Sequence, residues 1–471
     1  MTQPPAAGTE LLLNSLIKDF IYILYMSQDL MEKIVSLCKR RGFIAPSSEI
    51  YGGFESCYDY GFLGALLKNN IKQSWWKTMT QYRDDIVGVD ASILMSPKVW
   101  QASGHLTAGF ADSLVECKKC HHRFRKDYLK EDKCPDCGGQ LTEEKKFNLM
   151  MKTFVGSIEN EAAVTYLRGE TCQGIYMNYQ FMRETMRLKI PFGIAQIGKA
   201  FRNEITTRYF IFKTREFEQM EMQYFVEPDE KKKEKLFDYW KKERMNWYVS
   251  LGIKKDNLRF REHRKDELAH YAKKAVDIEY KFPWGWDEIE GIHDRGDWDL
   301  SNHSKHSGQD LSYYDEQTKK KFIPHIIETS AGADRNFLSF LINAYDEVEG
   351  GRTKTTEAKK ESEVVLRLDK KLSPIKAAIL PLVKNKKDLV KKAREVYDLL
   401  KMNWMCQYDE AGSIGRRYRR QDETGTPSCL TIDFDSLEKN DVTVRDRDTM
   451  KQERIKIKEL VDYLREKLEG R

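Results

Sequence analysis

Apolar positions in the first hundred residues fall at helical spacing. Leu30 to Arg41 reads as an amphipathic helix, and YDYGFLGALLKNNIKQSWWKTM from Tyr58 as a longer one, followed by a strand-like run from Ile86 to Leu94. Trp75 and Trp76 are expected in a core or an interface. Between Ile197 and Phe225 the pattern becomes two strand-like runs joined by a polar loop. Residues 228–275 are heavily charged and read as a helical insertion with solvated faces. A Gly-rich turn, SAGADR from Ser330, opens an apolar helix. Residues 351–363 are polar, a linker by composition. Beyond them, residues 364–471 alternate strand-like runs (AAILPLV, CLTIDF) with helical ones around Lys387 to Lys401 and Asp448 to Glu469, which predicts an α/β domain. Leu11 to Tyr25 is apolar, but it is short for a membrane span, carries Asn14, Lys18 and Asp19, and lacks a basic leader or cleavage site. Residues 1–25 therefore read as an extension, and no membrane association is expected.

Composition narrows this picture only a little. With 471 residues, 40% hydrophobic and 33% charged, the chain has room for two to four domains with real cores. A formal net charge of +6 is mild, so a nucleic-acid surface would need local clustering. Nine cysteines fit a reducing compartment, and a cytoplasmic protein is expected. Four of them form Cys117-x-x-Cys120 and Cys134-x-x-Cys137, thirteen residues apart. That is the spacing of a tetrahedral four-cysteine zinc knuckle, a structural site with no position open for a substrate. His121 and His122 are then expected to face solvent, since four thiolates complete the shell.

The segment IGKAFRNEITTRYFIFKTREFEQMEMQYF carries nucleotide chemistry. Residues two apart on a strand share a face, so Arg202 and Glu204 are expected to project together. A guanidinium can grip a phosphate, a carboxylate can accept from the exocyclic amine of adenine, and Phe217 can stack on the base.

The string Phe201-Arg202-x-Glu204, with its loop and returning strand, resembles motif 2 of the class II aminoacyl-tRNA synthetases, and SAGADRNFLSFLINAYDE, with Arg335, resembles motif 3. RGETCQGIYMNY from Arg168, EIEGIHDRGDWDL from Glu288, ETSAGADR from Glu328, GRRYRRQDETGTP and VTVRDRDTM are similar to strings of the homodimeric glycyl-tRNA synthetases. The resemblance runs from about Met26 to the C-terminus. It implies an α+β catalytic domain over residues 26–350, an antiparallel sheet flanked by helices with a zinc-knuckle insertion near 115–140. It also implies an α/β anticodon-binding domain over 364–471. Where the family usually reads R-P-E-T-A-Q-G, this chain has Gly169 and Cys172, and the loss of Pro is expected to loosen that turn. A non-catalytic paralogue would be expected to lose the phosphate-gripping arginines, which are present here. A synthetase for threonine, proline or histidine is disfavoured by RGETCQGIY and ETSAG.

The resemblance also implies roles. Arg202 would hold the α-phosphate of ATP, Glu204 the adenine amine, Phe217 the adenine face and Arg335 the γ-phosphate; Arg202 and Arg335 would be the catalytic pair. Asn203, Phe212, Lys213, Thr214, Arg215 and Glu216 would complete one side of the ATP site. Ile289, Gly332, Ala333 and Asp334 would complete the other. Glu288 and Glu328 would place Mg²⁺ or ATP. Glu170 and Glu221 would surround the ammonium of glycine, with Arg295 and Ser330 closing the pocket. Arg125, Glu218, Gln219, Met220, Thr329, Ala331 and Gly332 would join them, and Phe217 would border both ligands. Arg123 and Lys126 would touch phosphate or support the pocket. Arg416, Arg417, Arg419 and Arg420, with Arg445 and Arg447 nearby and Tyr418 interleaved, would contact tRNA(Gly). The segment from Tyr58 to Leu94 would form a homodimer interface.

Overall fold

The computed structural model describes residues 29–107, 110–126, 129, 131–205, 209–269, 271–352 and 362–470. The extension of residues 1–25 and most of the expected linker lie outside the described residues. Helix α1 (residues 29–41) buries Ile34, Leu37 and Cys38. Helix α2 (Phe62–Trp76) buries Gly64, Leu67, Lys68, Ile71 and Trp75, a stripe at three- and four-residue steps that lays one face on the core.

A seven-stranded sheet holds the N-terminal part together. Its strands are β1 (Ile86–Gly88), β5 (Phe192–Phe201), β6 (Glu216–Val226), β7 (Leu258–Glu262), β8 (Lys274–Phe282), β9 (Gly285–Gly296) and β10 (His325–Gly332). The insertion supplies β2 (Ala111–Glu116), β3 (Arg123–Arg125) and β4 (Lys145–Asn148) as a separate small sheet. The large sheet runs β7-β8-β9-β10-β6-β5-β1, and only β1 is parallel to its neighbour. Helices α3 (Cys172–Thr185), α4 (Glu230–Ser250), α5 (Trp298–Ser307) and α6 (Ala333–Ala344) pack around it.

Residues 228–275 are not a helical insertion. Only α4 is a long helix there, and the chain then supplies edge strand β7 and enters β8. Nor is α4 solvated all round: Lys233, Phe237, Trp240, Arg244, Trp247 and Tyr248 form a buried stripe at helical spacing. Arg244 Nε donates to Glu290 Oε1 at 2.6 Å and Tyr248 Oη to Oε2 at 2.7 Å, with both charged side chains about fully buried.

The C-terminal part is a five-stranded mixed sheet ordered β12-β11-β13-β14-β15, from β11 (Ala377–Pro381), β12 (Cys406–Tyr408), β13 (Ser428–Ile432), β14 (Asp441–Asp446) and β15 (Gln452–Lys456). Helices α7 (Lys387–Leu400) and α9 (Leu460–Glu469) share its main core. Helix α8 (Ile414–Thr424) packs Ile414 and Tyr418 on Ala378, Leu380 and Cys429. The stretch expected to be helical from Asp448 begins instead with β15, which pairs back on β14. Asn70 Nδ2, donating to the carbonyls of Leu372 and Ser373, ties this part to α2.

Removing Arg244 alone, as Arg244→Met, should destabilise the fold by about 3–5 kcal/mol because it strands a buried carboxylate. Adding Glu290→Gln should recover part of that loss. Urea unfolding followed by tryptophan fluorescence checks both; equal losses in the single and double variants would show that the pair's charge is not what matters.

Candidate active site

Strand alternation decides which side chains reach the cleft above the sheet. On β6, Gln219, Glu221 and Gln223 share one face, while Met220, Met222 and Tyr224 join the core on the other. On β10, Glu328, Ser330 and Gly332 face as Glu221 does, and Ile327 and Ala331 turn inward. A cleft opens on that face. One end is acidic and closed; the other is basic and aromatic.

At the acidic end Glu170, Glu221 and Glu328 are all buried. Arg295 Nη1 donates to Glu328 Oε2 at 2.9 Å, while its Nε and Nη2 hold Asp299 at 2.7 and 3.0 Å. Its guanidinium lies 3.7 Å from the Tyr271 ring centre. His293 Nδ1 stands 2.6 Å from Glu328 Oε1. Burial opposes ionisation of Glu328, yet the Arg295 charge and His293 hold its carboxyl down at about 2. Burial likewise penalises Glu170, but His105 and Arg295 keep it well below the ordinary range. Among the described residues no cation pairs with Glu221. Ser330 Oγ donates to it at 2.7 Å and Thr171 Oγ1 donates to its other oxygen. Burial and the charges of Glu328 and Glu170 push it up to about 7. A buried, uncompensated carboxylate beside hydroxyl donors suits a small cation such as an ammonium group.

At the other end β5 stops at Phe201, so Arg202 and Glu204 do not share a strand face as expected. Arg202 N–H still donates to Arg215 O at 2.9 Å, and Glu204 N–H then folds back on Arg202 O at 2.7 Å, a tight turn that ends the ladder. Both side chains nevertheless line the cleft. Arg202 Nε donates to Gly169 O at 3.0 Å, and its guanidinium lies over the rings of Phe110 and Phe217 at 5.2 and 5.3 Å. Glu204 is paired with Lys213 at 2.9 Å. Arg335, in the first turn of α6, donates to Glu288 Oε2 at 3.0 Å and lies over Phe212 at 4.5 Å. Thr214 also lines the cleft.

Several expected residues do not reach it. Met220, Ile289, Thr329, Ala331 and Ala333 have buried side chains outside the lining, because each is on the inward side of its strand or helix. Glu218 and Asp334 border the cleft, but their carboxylates are paired with Lys68 and Lys72 of α2. Arg295 sits behind the lining, acting through Glu328. Arg125 is paired with Asp112 at 3.0 Å and is not among the lining residues. Asn203 and Arg215 face a neighbouring groove toward the insertion, and the exposed Glu216 pairs with Lys199. The turn at Gly169 is packed rather than loose: a Cβ there would fall 3.0 Å from Met150 Sδ and 3.1 Å from the Phe110 ring. At Gly198 a Cβ would fall 2.2 Å from Arg168 Nη2. That space lets the buried Arg168 bond to Lys199 O and Ala91 O and pin the start of the Glu170 turn.

His293, Tyr271 and His105 are among the site residues that escaped the sequence reading. His293 lies two before Arg295 on β9, so strand alternation could have found it. Tyr271 and His105 come from loops with no periodic signal.

In the insertion, Cys117 Sγ is 3.5 Å from Cys137 Sγ and Cys120 Sγ 3.6 Å from Cys134 Sγ. Thiolates bound tetrahedrally at 2.3 Å would be about 3.8 Å apart, so the four fit a zinc ion. His121 and His122 are exposed and paired with Glu116 and Asp136. In the C-terminal part the basic cluster is mostly internal, contrary to expectation. Arg417 is buried and donates to the carbonyls of Pro381 and Leu382. Arg419 pairs with Glu363 and Arg420 with Asp409. Arg445 clasps Asp422 with both Nη atoms, and Arg447 caps Gly425 O and Leu368 O. Arg416 alone of the helical four is exposed.

Residues 154–345 match the tRNA synthetase class II core domain (G, H, P, S and T), and residues 376–467 the anticodon binding domain. A prolyl-tRNA synthetase from Cryptosporidium parvum, solved with L-proline and AMP, shares the fold with a TM-score of 0.62 at 16% identity, over 93% of this chain and 75% of that one. Fold and cleft are thus those of a class II aminoacyl-tRNA synthetase. The chain is 52% identical over 461 residues to the glycine–tRNA ligase of Thermobifida fusca, spanning 93% of this chain and 98% of that one. It is 52% identical over 446 residues to that of Treponema denticola, spanning 93% and 97%, and 49% over 466 to that of Streptomyces coelicolor, spanning 94% and 100%. It belongs to the glycine–tRNA ligase family.

Glu221 keeps its proton to about pH 7 in the folded chain but loses it near 4.3 when unfolded. Its folded-state proton therefore contributes stability that is lost as pH rises through that window. Glu221→Gln should melt above the parent at pH 8, by on the order of 2 kcal/mol, and the gain should shrink toward pH 5. A gain independent of pH would exclude the charge as its source.

Proposed function

We propose that the chain activates glycine with ATP to glycyl-adenylate and transfers the glycyl group to the 3′ end of tRNA(Gly). The observation that carries this reading is the union, in one cleft, of a closed acidic end with an uncompensated Glu221 and an open end of arginines and aromatic rings. The glycine ammonium sits between Glu170 and Glu221, near Ser330. Its carboxylate then faces the α-phosphorus of ATP; the new P–O bond forms as the bond to pyrophosphate breaks. Arg202 neutralises the α-phosphate, Arg335 the γ-phosphate, and Phe217 and Phe212 border the adenine. Such a step needs positioning and charge neutralisation, with no covalent enzyme nucleophile. A terminal ribose hydroxyl of the tRNA then attacks the glycyl carbonyl, and AMP leaves.

Mg²⁺, when bound, would supply further neutralisation of the phosphates. Glu288 is the carboxylate suited to it. Glu328 is not, because Arg295, His293 and Gln223 already engage its oxygens. Cys117, Cys120, Cys134 and Cys137 would hold zinc, which would clamp the insertion. Residues 26–350 form the catalytic part and 364–471 the anticodon part, with 351–363 linking them. The exposed Phe62 and Leu94 support a homodimer through the α2 segment. No described helix is long and apolar enough to cross a membrane, and the nine free cysteines support a cytoplasmic location.

Glycine should support ATP–pyrophosphate exchange while L-alanine and L-serine do not, since a closed pocket excludes a Cβ. Arg202→Ala and Arg335→Ala should each lower the exchange rate by about two to three orders of magnitude. Equal exchange with alanine, or a parent-like rate in Arg202→Ala, would overturn the assignment.

Elemental analysis should find about one zinc per chain, and Cys134→Ser should abolish it. Metal-free protein prepared without chelator would sink this expectation.

A further inference from the structure

The imidazole of His105 is buried in a loop ahead of the insertion and takes no part in the chemistry above. Its Nδ1 is 2.8 Å from Ser103 Oγ, which in turn lies 3.4 Å from Trp100 O. The rings of Trp100 and Phe110 flank it, with centres 5.2 and 4.5 Å away. Its carbonyl accepts from Asn148 Nδ2 at 2.8 Å, which ties the loop to the end of β4. With the ring fixed on these sides, Nε2 lies 3.2 Å from Glu170 Oε1, within pairing distance though not aligned for a full hydrogen bond.

The other donors to Glu170 meet the same oxygen. Cys172 Sγ donates to Oε1 at 2.9 Å and Gln173 Nε2 at 3.0 Å. These contacts converge on one oxygen, which turns Oε2 toward the cleft that Glu170 lines. Of the three groups, only His105 can bring a positive charge.

We infer that His105 is a positioning residue for the amino-acid site: it fixes the Glu170 carboxylate so that its free oxygen meets the substrate ammonium. This rests on the reading of Glu170 as an ammonium contact. The charge of His105 also helps to keep Glu170 ionised against the cost of burial. Cys172 and Gln173 adjoin Glu170 in sequence, and Gln173 is itself held by Asp299 and His303 of α5, whereas His105 approaches from a separate loop. It therefore adds a restraint from a second direction, outside the turn.

The test is pyrophosphate exchange by the full-length enzyme, with the KM for glycine and for ATP measured separately. His105→Leu should raise the glycine KM roughly tenfold, about the worth of one polar contact to a charged group, with the ATP KM and melting temperature unchanged. His105→Gln, whose amide nitrogen falls near the position of Nε2, should restore most of the affinity. An unchanged glycine KM, an equal rise in the ATP KM, or failure of the Gln variant to rescue would overturn the inference. If the Leu variant does not fold, Ser103→Ala carries the test: freeing Nδ1 should raise the glycine KM by a smaller factor, and no change would overturn the inference. A parent enzyme inactive with glycine would strike the proposed function instead.

Discussion

Glu170, Glu221, Glu328 and Asp299 crowd one face of the sheet within a buried volume where like charges repel strongly, and the neighbouring structure answers that repulsion. Arg295 answers first, joining Asp299 to Glu328 while Tyr271 covers its open face. His293 takes the remaining oxygen of Glu328. Neither reaches Glu221, which the ladder fixes opposite Ser330 on one side and Gln196 on the other. The register of three adjacent strands thus decides which carboxylate lacks a cation. A one-residue slip of β6 would bury Glu221 in the core and send Met220 or Met222 into the cleft.

Much of this was legible in the chain. The alternation from Ile197 to Phe225 foretold the hairpin of β5 and β6, the apolar spacing from Tyr58 foretold α2, although Tyr58–Tyr60 forms a short strand before it, and the paired cysteines foretold the four-thiol cluster. The failures have physical causes. Residues 228–275 were read by charge, but Lys233 and Arg244 enter the core with partners, Asp294 and Glu290, more than forty residues away. Charge content cannot reveal such pairing. Assignments to Met220, Thr329 and Ala331 treated continuous strings as sites, although a strand offers only every second side chain to one face. Loop residues Tyr271 and His105 carried no period to be read.

The arginines repeat the lesson in another form. Arg168, Arg244, Arg295 and Arg417 are among the largest fully buried side chains. Each spans between elements by its fork of donors, onto carbonyls for Arg168 and Arg417 and onto carboxylates for Arg244 and Arg295. The fork and its permanent charge suit this bridging better than an ammonium. A run such as GRRYRRQDE therefore has two physical outcomes. On α8, helical geometry points Arg417 into the fold and leaves Arg416 outward, so any electrostatic attraction of this helix for RNA rests on fewer free charges than the run suggests.

The two ends of the cleft meet through one short stretch of backbone. Arg202 Nε holds Gly169 O, the carbonyl just before Glu170, while the backbone of Asn203 bonds to Leu149 O at the stem of the insertion. The Arg202 guanidinium at the basic end, the Glu170 carboxylate at the acidic end and the root of the cysteine cluster are thus mechanically adjacent. Gly169 admits this adjacency because it has no side chain, and Met150 and Phe110 fill the room a Cβ would need. Phe110 in turn lies against both Arg202 and His105. A displacement of the insertion root would be felt at both ends of the cleft, so the four-cysteine segment, though it lines neither end, belongs to the rigid frame that joins them.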